Sequence, residues 1–281
     1  MNLLLAGLAV ITTVPFVLVN NQIVVQASVN GKGPYSFLVD TGVTPSVIDR
    51  TAAEAAGVAV DTSRAGQPSG AGSGRMAVHR AAIGELTLSG VSFRDLDALA
   101  ADLSRLSARL AHPLHGILGD NFFEGRVITI DYAAQRMTIA RHAPPLPPGA
   151  VELPFVTAND DIIPIIHEFE IDGQKIPVSL DTGSSLSLEL YPSAVTRLGL
   201  SGMAEKAAGG SITGARGAAA VPKAQVEVVT IGGQVLRDVD VTFSSRSDHG
   251  VERLGNVGNA LLKHFTVTFD YTTKRVRLEK P

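Results

Sequence analysis

The strongest constraint on this chain is that its sequence occurs twice. Val39-Asp40-Thr41-Gly42 returns as Leu180-Asp181-Thr182-Gly183, 141 residues later. Each copy follows a strand-like run, 35–39 and 176–180, and each run follows an Asx-Gly turn, Asn30-Gly31 and Asp172-Gly173. Alternating segments at 22–27 and 165–170 precede those turns, so each half opens as a β-hairpin. Self-similarity kept in order over a long offset predicts two copies of one structural unit.

The parallel continues to the end of each half. A strand at 46–49 leads into a short helix over 51–56 closed by Gly57. A strand at 186–190 leads into one over 192–198, started by Pro192 and closed by Gly199. Glycine-rich stretches follow at 69–74 and 209–214. Next, 88–95 matches 231–238, and Gly116-Ile117-Leu118-Gly119 matches Gly255-Asn256-Val257-Gly258. Closing strands at 127–132 and 266–271 complete the pattern, and the offset stays within 139–143 residues.

Leu96, Leu99, Leu103, Leu106 and Leu110 have helical spacing. The repeat aligns Arg94-Asp95-Leu96-Asp97 with the alternating Arg237-Asp238-Val239-Asp240, so 96–99 reads as strand. A helix over roughly 101–110 then belongs to the first half alone. The proline-rich stretch 141–150 divides the halves as a stiff linker, giving units at 14–140 and 151–281.

Composition narrows the function classes. Lys and Arg total 24 against 27 Asp and Glu, a net charge of −3, which argues against an electrostatic grip on nucleic acid. With 45% hydrophobic residues the chain is no disordered polymer. It has no cysteine, which removes disulfides, thiolate metal sites and a cysteine nucleophile. The apolar run from Met1 to Ile11, broken by Thr12-Thr13-Val14-Pro15, is too short to span a bilayer. It reads either as the remnant of a secretory leader over 1–13, implying a periplasmic or secreted protein, or as a first strand.

The doubled Asp-Thr-Gly carries the chemistry. Gly42 and Gly183 permit a tight turn that presents each acid at a loop mouth. A pseudo-two-fold axis between the halves would bring Asp40 and Asp181 face to face. Two carboxyls at contact distance share one proton and hold a water, which one activates while the other polarises a carbonyl. Paired turns of this kind argue against a glycosidase, whose acids stand apart around a sugar.

FLVDTG and VSLDTGSS, each followed by a hydrophobic-hydrophobic-Gly element at 117–119 or 256–258, resemble the pepsin–retropepsin aspartic proteases. The chain is most similar to their two-lobed, bacterial-type, retropepsin-like members, over roughly residues 14–280. The resemblance implies an all-β bilobal acid-protease fold with short helices and a cleft between lobes. It implies catalysis by Asp40 and Asp181, with Thr41, Gly42, Thr182, Gly183 and Ser184 supporting them. Thr41 and Thr182 would exchange hydrogen bonds with the opposite loop. Gly70, Gly72 and Gly74, and Gly210, Thr213 and Gly214, look like flaps closing over an extended peptide or protein substrate. No cofactor or metal is implied, and a monomer suffices because both acids lie on one chain.

Two positions depart from the pattern. Val43 has no hydrogen-bonding atom where the second copy has Ser184, so the two acids are expected to be unequal. Asn256 is polar where an apolar residue is expected. A catalytically weak peptide-binding protein on the same fold is therefore the alternative function. Asp131 and Asp270 read as turn starters, and Asp120 and Asn259 as caps of short helices over 121–124 and 260–264. His112 and His115, separated by proline, read as a surface loop rather than a metal pair.

Overall fold

The computed structural model describes residues 10–66, 77–157, 163–214, 217–244 and 253–281. The first half runs β1 (Val10–Val19), β2 (Gln22–Val29), β3 (Lys32–Val39), β4 (Ser46–Asp49), α1 (Arg50–Ala56), β5 (Ala59–Gly66), β6 (Val78–Leu88), β7 (Val91–Ala101), α2 (Ser104–Leu110), β8 (Gly116–Leu118), α3 (Asp120–Phe123), β9 (Val127–Asp131) and β10 (Arg136–Ala140). The second runs β11 (Val151–Pro154), β12 (Ile165–Ile171), β13 (Gln174–Leu180), β14 (Leu188–Leu190), α4 (Pro192–Arg197), α5 (Ser201–Lys206), β15 (Ala208–Gly214), β16 (Gly217–Ile231), β17 (Gln234–Phe243), β18 (Gly255–Val257), α6 (Asn259–Leu262), β19 (Thr266–Asp270) and β20 (Arg275–Glu279). This is an all-β, two-lobed architecture with short helices.

Turn chemistry sets the hairpins. Asn30-Gly31 and Asp172-Gly173 have positive φ at both residues, the two-residue turn whose twist matches its strands. Asp49 caps α1 by accepting from the Thr51 and Ala52 N–H groups, and Gly57 ends it with φ +68°. Pro192 stands at the start of α4. In the unpaired segment of the first half, β7 runs through to Ala101 and the helix begins only at Ser104.

Each lobe closes on itself. In the first, β2, β3, β8, β4, β7 and β6 pair in turn, and β6 returns to β2. In the second, β12, β13, β18, β14, β17 and β16 repeat that order, with β16 returning to β12. Closure leaves few open edges. Phe37, Ile48, Ile83 and Phe122 fill the first interior, and Phe169, Leu190 and Ile231 the second, all fully buried. Each such side chain contributes roughly 1.5–3 kcal/mol.

A third sheet joins the lobes. Its order is β11-β20-β19-β9-β10-β1, and its centre is the antiparallel pairing of the two closing strands, β9 and β19. Thr129 stands opposite Thr268, the residue equivalent to it by the repeat, with their hydroxyls 2.9 Å apart. The pseudo-two-fold axis passes here. β1 serves two sheets, pairing with β10 up to Pro15 and with β2 from Phe16 onward. Its first four residues, 10–13, lie inside the stretch 1–13, and residues 1–9 fall outside the described residues. The linker 141–150 has no regular structure and leads directly into β11.

Candidate active site

Each Asp-Thr-Gly turn hangs between the strand before it and the strand that crosses behind it. β3 runs parallel to β8, so Leu38 meets Ile117, and β13 runs parallel to β18, so Ser179 meets Asn256. The crossing strand then takes the aspartate backbone. Asp40 N–H donates to the Leu118 carbonyl at 3.0 Å, and Asp181 N–H to the Val257 carbonyl at 2.8 Å. The carboxylates fold back on their own turns, where Asp40 Oδ1 accepts from Gly42 N–H and Asp181 Oδ1 from Gly183 N–H, both at 2.8 Å.

The glycines explain how the two acids face each other. A Cβ on Gly42 would lie 3.0 Å from Asp181 Oδ1, and a Cβ on Gly183 would overlap the Asp40 carboxyl group. Each carboxyl is therefore seated on the glycine of the opposite lobe. Glycine is needed here for close approach, since neither position has a left-handed backbone.

Thr41 and Thr182 lock this arrangement reciprocally. Thr41 Oγ1 donates to the Leu180 carbonyl at 2.8 Å and accepts from Thr182 N–H at 3.0 Å. Thr182 Oγ1 donates to the Val39 carbonyl at 3.0 Å and accepts from Thr41 N–H at 3.0 Å. Both threonines are buried, so no water competes for these four bonds.

A wider ring of contacts fixes the loops. Asn259 donates through Nδ2 to the Thr182 carbonyl at 2.5 Å and accepts from the Tyr132 hydroxyl at 2.7 Å. Burial pushes the Tyr132 phenol upward, which keeps it a neutral donor. Thr44 Oγ1 donates to Asp120 Oδ2 at 2.7 Å. These contacts correct the capping assignment. α3 and α6 begin at Asp120 and Asn259 themselves, after Gly119 and Gly258, and neither has a side-chain cap. Distant partners take the Asn259 side chain and Asp120 Oδ2, while Asp120 Oδ1 accepts from its neighbour Asn121 N–H. Gln22, at the start of β2, donates to the Gly183 carbonyl at 2.6 Å, so the first lobe also holds the second loop directly. No local signal in the sequence marked Gln22.

The two loops are not equivalent. Asn256 Nδ2 donates to Asp181 Oδ2 at 2.8 Å, and Ser179 Oγ donates to Asn256 Oδ1 at 2.5 Å. Ser184, whose hydroxyl accepts from Leu186 N–H at 3.4 Å, is turned to its own loop. The side chain that supports the Asp181 carboxylate is Asn256, visible in the sequence only as a polar residue in an apolar place.

A family model for aspartyl proteases matches the sequence twice, over residues 25–122 and 167–260, which is more than half of the chain. The chain belongs to the aspartyl protease family. The two matched stretches each contain one Asp-Thr-Gly and one crossing element, in step with the repeat. Among solved structures, the aspartic proteinase from Irpex lacteus superposes with a TM-score of 0.60 at 14% identity, covering 96% of this chain and 97% of that one. That likeness is one of fold. No curated protein matches the sequence.

The remaining candidate residues of this family member fall as follows. Gly70, Gly72 and Gly74 lie outside the described residues. Gly210, Thr213 and Gly214 lie on β15, paired with Val221, Ala218 and Gly217 of β16 in a long hairpin at the end of the second lobe's sheet. Asp131 and Asp270 start turns, accepting from Ala134 N–H and from Thr272 and Thr273 N–H. His115 Nδ1 accepts from Ser36 N–H at 3.0 Å, a strand-edge contact. Among the described residues no group of three metal-ligating side chains comes together.

Proposed function

We propose that this aspartyl protease family member is an endopeptidase that hydrolyses peptide bonds with a water activated between Asp40 and Asp181. The observation carrying this reading is the mutual seating of each carboxyl on the opposite glycine, held by the reciprocal threonine bonds. Two acids so placed share a proton, because ionising both in one site is costly. The ionised member takes a proton from water as its oxygen bonds to the carbonyl carbon. The protonated member delivers its proton to the carbonyl oxygen, giving a gem-diol. Proton transfer to nitrogen then accompanies rupture of the C–N bond. The cycle uses no metal or cofactor, and one chain supplies both acids, so a monomer suffices. The substrate is an extended peptide, which suits pairing with a strand such as β15.

Digestion of a peptide library from pH 3 to 8, with and without a statine inhibitor, tests the reading. The expected result is inhibitor-sensitive cleavage with a bell-shaped pH profile whose two limbs belong to the pair. Asp40→Asn and Asp181→Asn should each abolish it. A second reading, a weakly active peptide-binding protein, is favoured by Val43, which offers no hydrogen bond beside the first acid. Absence of cleavage at every pH, with Asp181→Asn binding peptides as tightly as wild type, would select that reading.

A further inference from the structure

The tighter of the two glycine seats is also the one gripped by a side chain from the other lobe. A Cβ on Gly183 would overlap the Asp40 carboxyl, whereas a Cβ on Gly42 would stand 3.0 Å from Asp181 Oδ1. The threonine clamp does not account for this difference, because its bonds run at 2.8–3.0 Å in both directions. Gln22 adds a contact that reaches the second loop alone, with Nε2 donating to the Gly183 carbonyl at 2.6 Å. The direction of this amide follows from its partner. A backbone carbonyl only accepts, so the atom facing it must be nitrogen.

Local structure aims Gln22 at that loop. Asn20 and Asn21 both have positive φ, 51° and 61°, and form the two-residue turn from β1 to β2 with Val19 opposite Gln22. Asparagine adopts this conformation more readily than most residues. The turn is also fastened to the second lobe. Asn21 Nδ2 donates to the Ser185 carbonyl at 3.4 Å, and Asn21 Oδ1 accepts from Lys263 Nζ, just past α6, at 3.1 Å. Gln22 therefore reaches out from a fixed backbone. In the second lobe, Ile165 stands opposite Ser179 as Val24 stands opposite Leu38, so the register puts Ile163 where the first lobe has Gln22. Ile163 is buried, and its side chain has no N–H to give.

We propose that Gln22 is a positioning residue: by drawing the Gly183 carbonyl toward the first lobe, it presses the Gly183 seat against Asp40 and so sets the spacing of the dyad. Gln22 acts through Gly183, the backbone its amide holds. The positioning rests on this geometry, and its catalytic consequence rests on the endopeptidase reading above, because both carboxyls must reach one water. An amide–carbonyl bond is modest by itself. Its leverage comes from the contact behind it, since moving a reacting group by about 1 Å costs about a hundredfold in rate.

The test compares wild type with Gln22→Leu, which removes the donor, and Gln22→Glu, which makes the donor titratable. An ionised carboxyl and a carbonyl both accept, so the introduced acid can hold Gly183 only while protonated. The probe is a peptide that wild type cuts in the library digest. Gln22→Leu should lower kcat about tenfold at every pH, with KM changed by less than about twofold. Gln22→Glu should match wild type at about pH 3 and fall about tenfold behind it as the pH rises from about 4 to about 6. The dyad and Lys263 are common to all three proteins, so the difference between the profiles reports the introduced carboxyl. Full activity in Gln22→Leu, or a loss in Gln22→Glu that is equal at every pH, would overturn the proposal. Carbon-13 NMR of labelled aspartate reads the seat without substrate. The Asp40 carboxyl signal should move in Gln22→Leu, and in Gln22→Glu only once the introduced acid ionises; an Asp40 signal unmoved in both would also overturn it. Should Gln22→Leu not fold, Gln22→Glu makes the comparison within one protein by pH alone. A wild type that cuts nothing, with Asp40 moving as stated, removes the endopeptidase reading and leaves the positioning role standing.

Discussion

The two lobes share a backbone and differ in what lies behind their acids. The first covers its crossing strands with the leucines of α2, and Leu38, Val43, Val47 and Ile117 join them in a dry cluster. Among the described residues the second lobe has no helix between β17 and β18. Its additional helix, α5, packs instead against α4 and β16, and its crossing is built from buried serine, glutamate and asparagine. Yet the features needed to bring two acids together are reproduced almost bond for bond, as the four threonine bonds at 2.8–3.0 Å show. Backbone symmetry brings the acids face to face, while the residues packed behind them differ in polarity from one lobe to the other.

The comparison breaks most sharply at the glycines. A methyl at Gly183 collides with the Asp40 carboxyl, while one at Gly42 meets Asp181 at 3.0–3.3 Å and needs the neighbour to give by only a few tenths of an ångström. Gly183→Ala should cost more than about a hundredfold in kcat/KM, because displacing a reacting group by about 1 Å has that effect. Gly42→Ala should cost about tenfold or less. Equal losses would mean that the two seats are equivalent. Next in size is the transplant of polarity into the first lobe. Ile117→Asn would bury an amide between Leu38 and Val47 with no serine to orient it, and should lower the unfolding free energy by about 2–4 kcal/mol in a denaturant titration.

The threonine clamp tests the part that is shared. Thr41→Val and Thr182→Val each remove one donated and one accepted bond and leave a buried N–H of the opposite loop without its acceptor. Each should cost about 2–3 kcal/mol of stability, and the two losses should agree to within about 1 kcal/mol. The double variant should lose less than the sum, since each substitution strands the same pair of loops. A large difference between the single variants would show that the clamp is less symmetric than its distances.

Most of this frame was legible in the sequence because it is carried by repetition and turn chemistry. The offset of 139–143 residues located matching strands, and Asn30-Gly31 and Asp172-Gly173 marked hairpins that formed with positive φ at both residues. The repeat also separated strand from helix around Leu96, where leucine spacing alone reads as helix; the helix came three residues later than expected because β7 keeps its pairing to β4 through Ala101. What stayed illegible depended on partners distant in the chain. Asn259 looks like a helix cap by its neighbours, but the Thr182 carbonyl and the Tyr132 hydroxyl take its side chain. Asn256 stood out as polar, but its aim follows only from the register of β13 against β18. Ser184 occupies the position expected to support Asp181, and its hydroxyl is held by Leu186 N–H instead.

The smallest expected effect lies to either side of the pseudo-two-fold axis, at the ends of the strands that join the lobes. Asp131 and Asp270 are equivalent by the repeat, and both start turns. Asp131 Oδ1 accepts from Ala134 N–H, whereas Asp270 Oδ1 accepts from Thr272 N–H, Thr272 Oγ1 and Thr273 N–H. Burial works to raise the Asp270 carboxyl, but the bonds from Thr272 and Thr273 outweigh it and hold the group below its ordinary 3.8. A carboxyl depressed in the folded state adds stability that is fully present above its unfolded value and is lost as pH falls through the folded one. Asp270→Asn should therefore lower stability at neutral pH, and the gap from wild type should narrow as the pH drops below about 4. Thr272→Val should reproduce part of that pH dependence by removing one of the three donors. Denaturant midpoints measured from pH 2 to 7 check both variants, and a gap that widens in acid would show that burial outweighs the turn bonds.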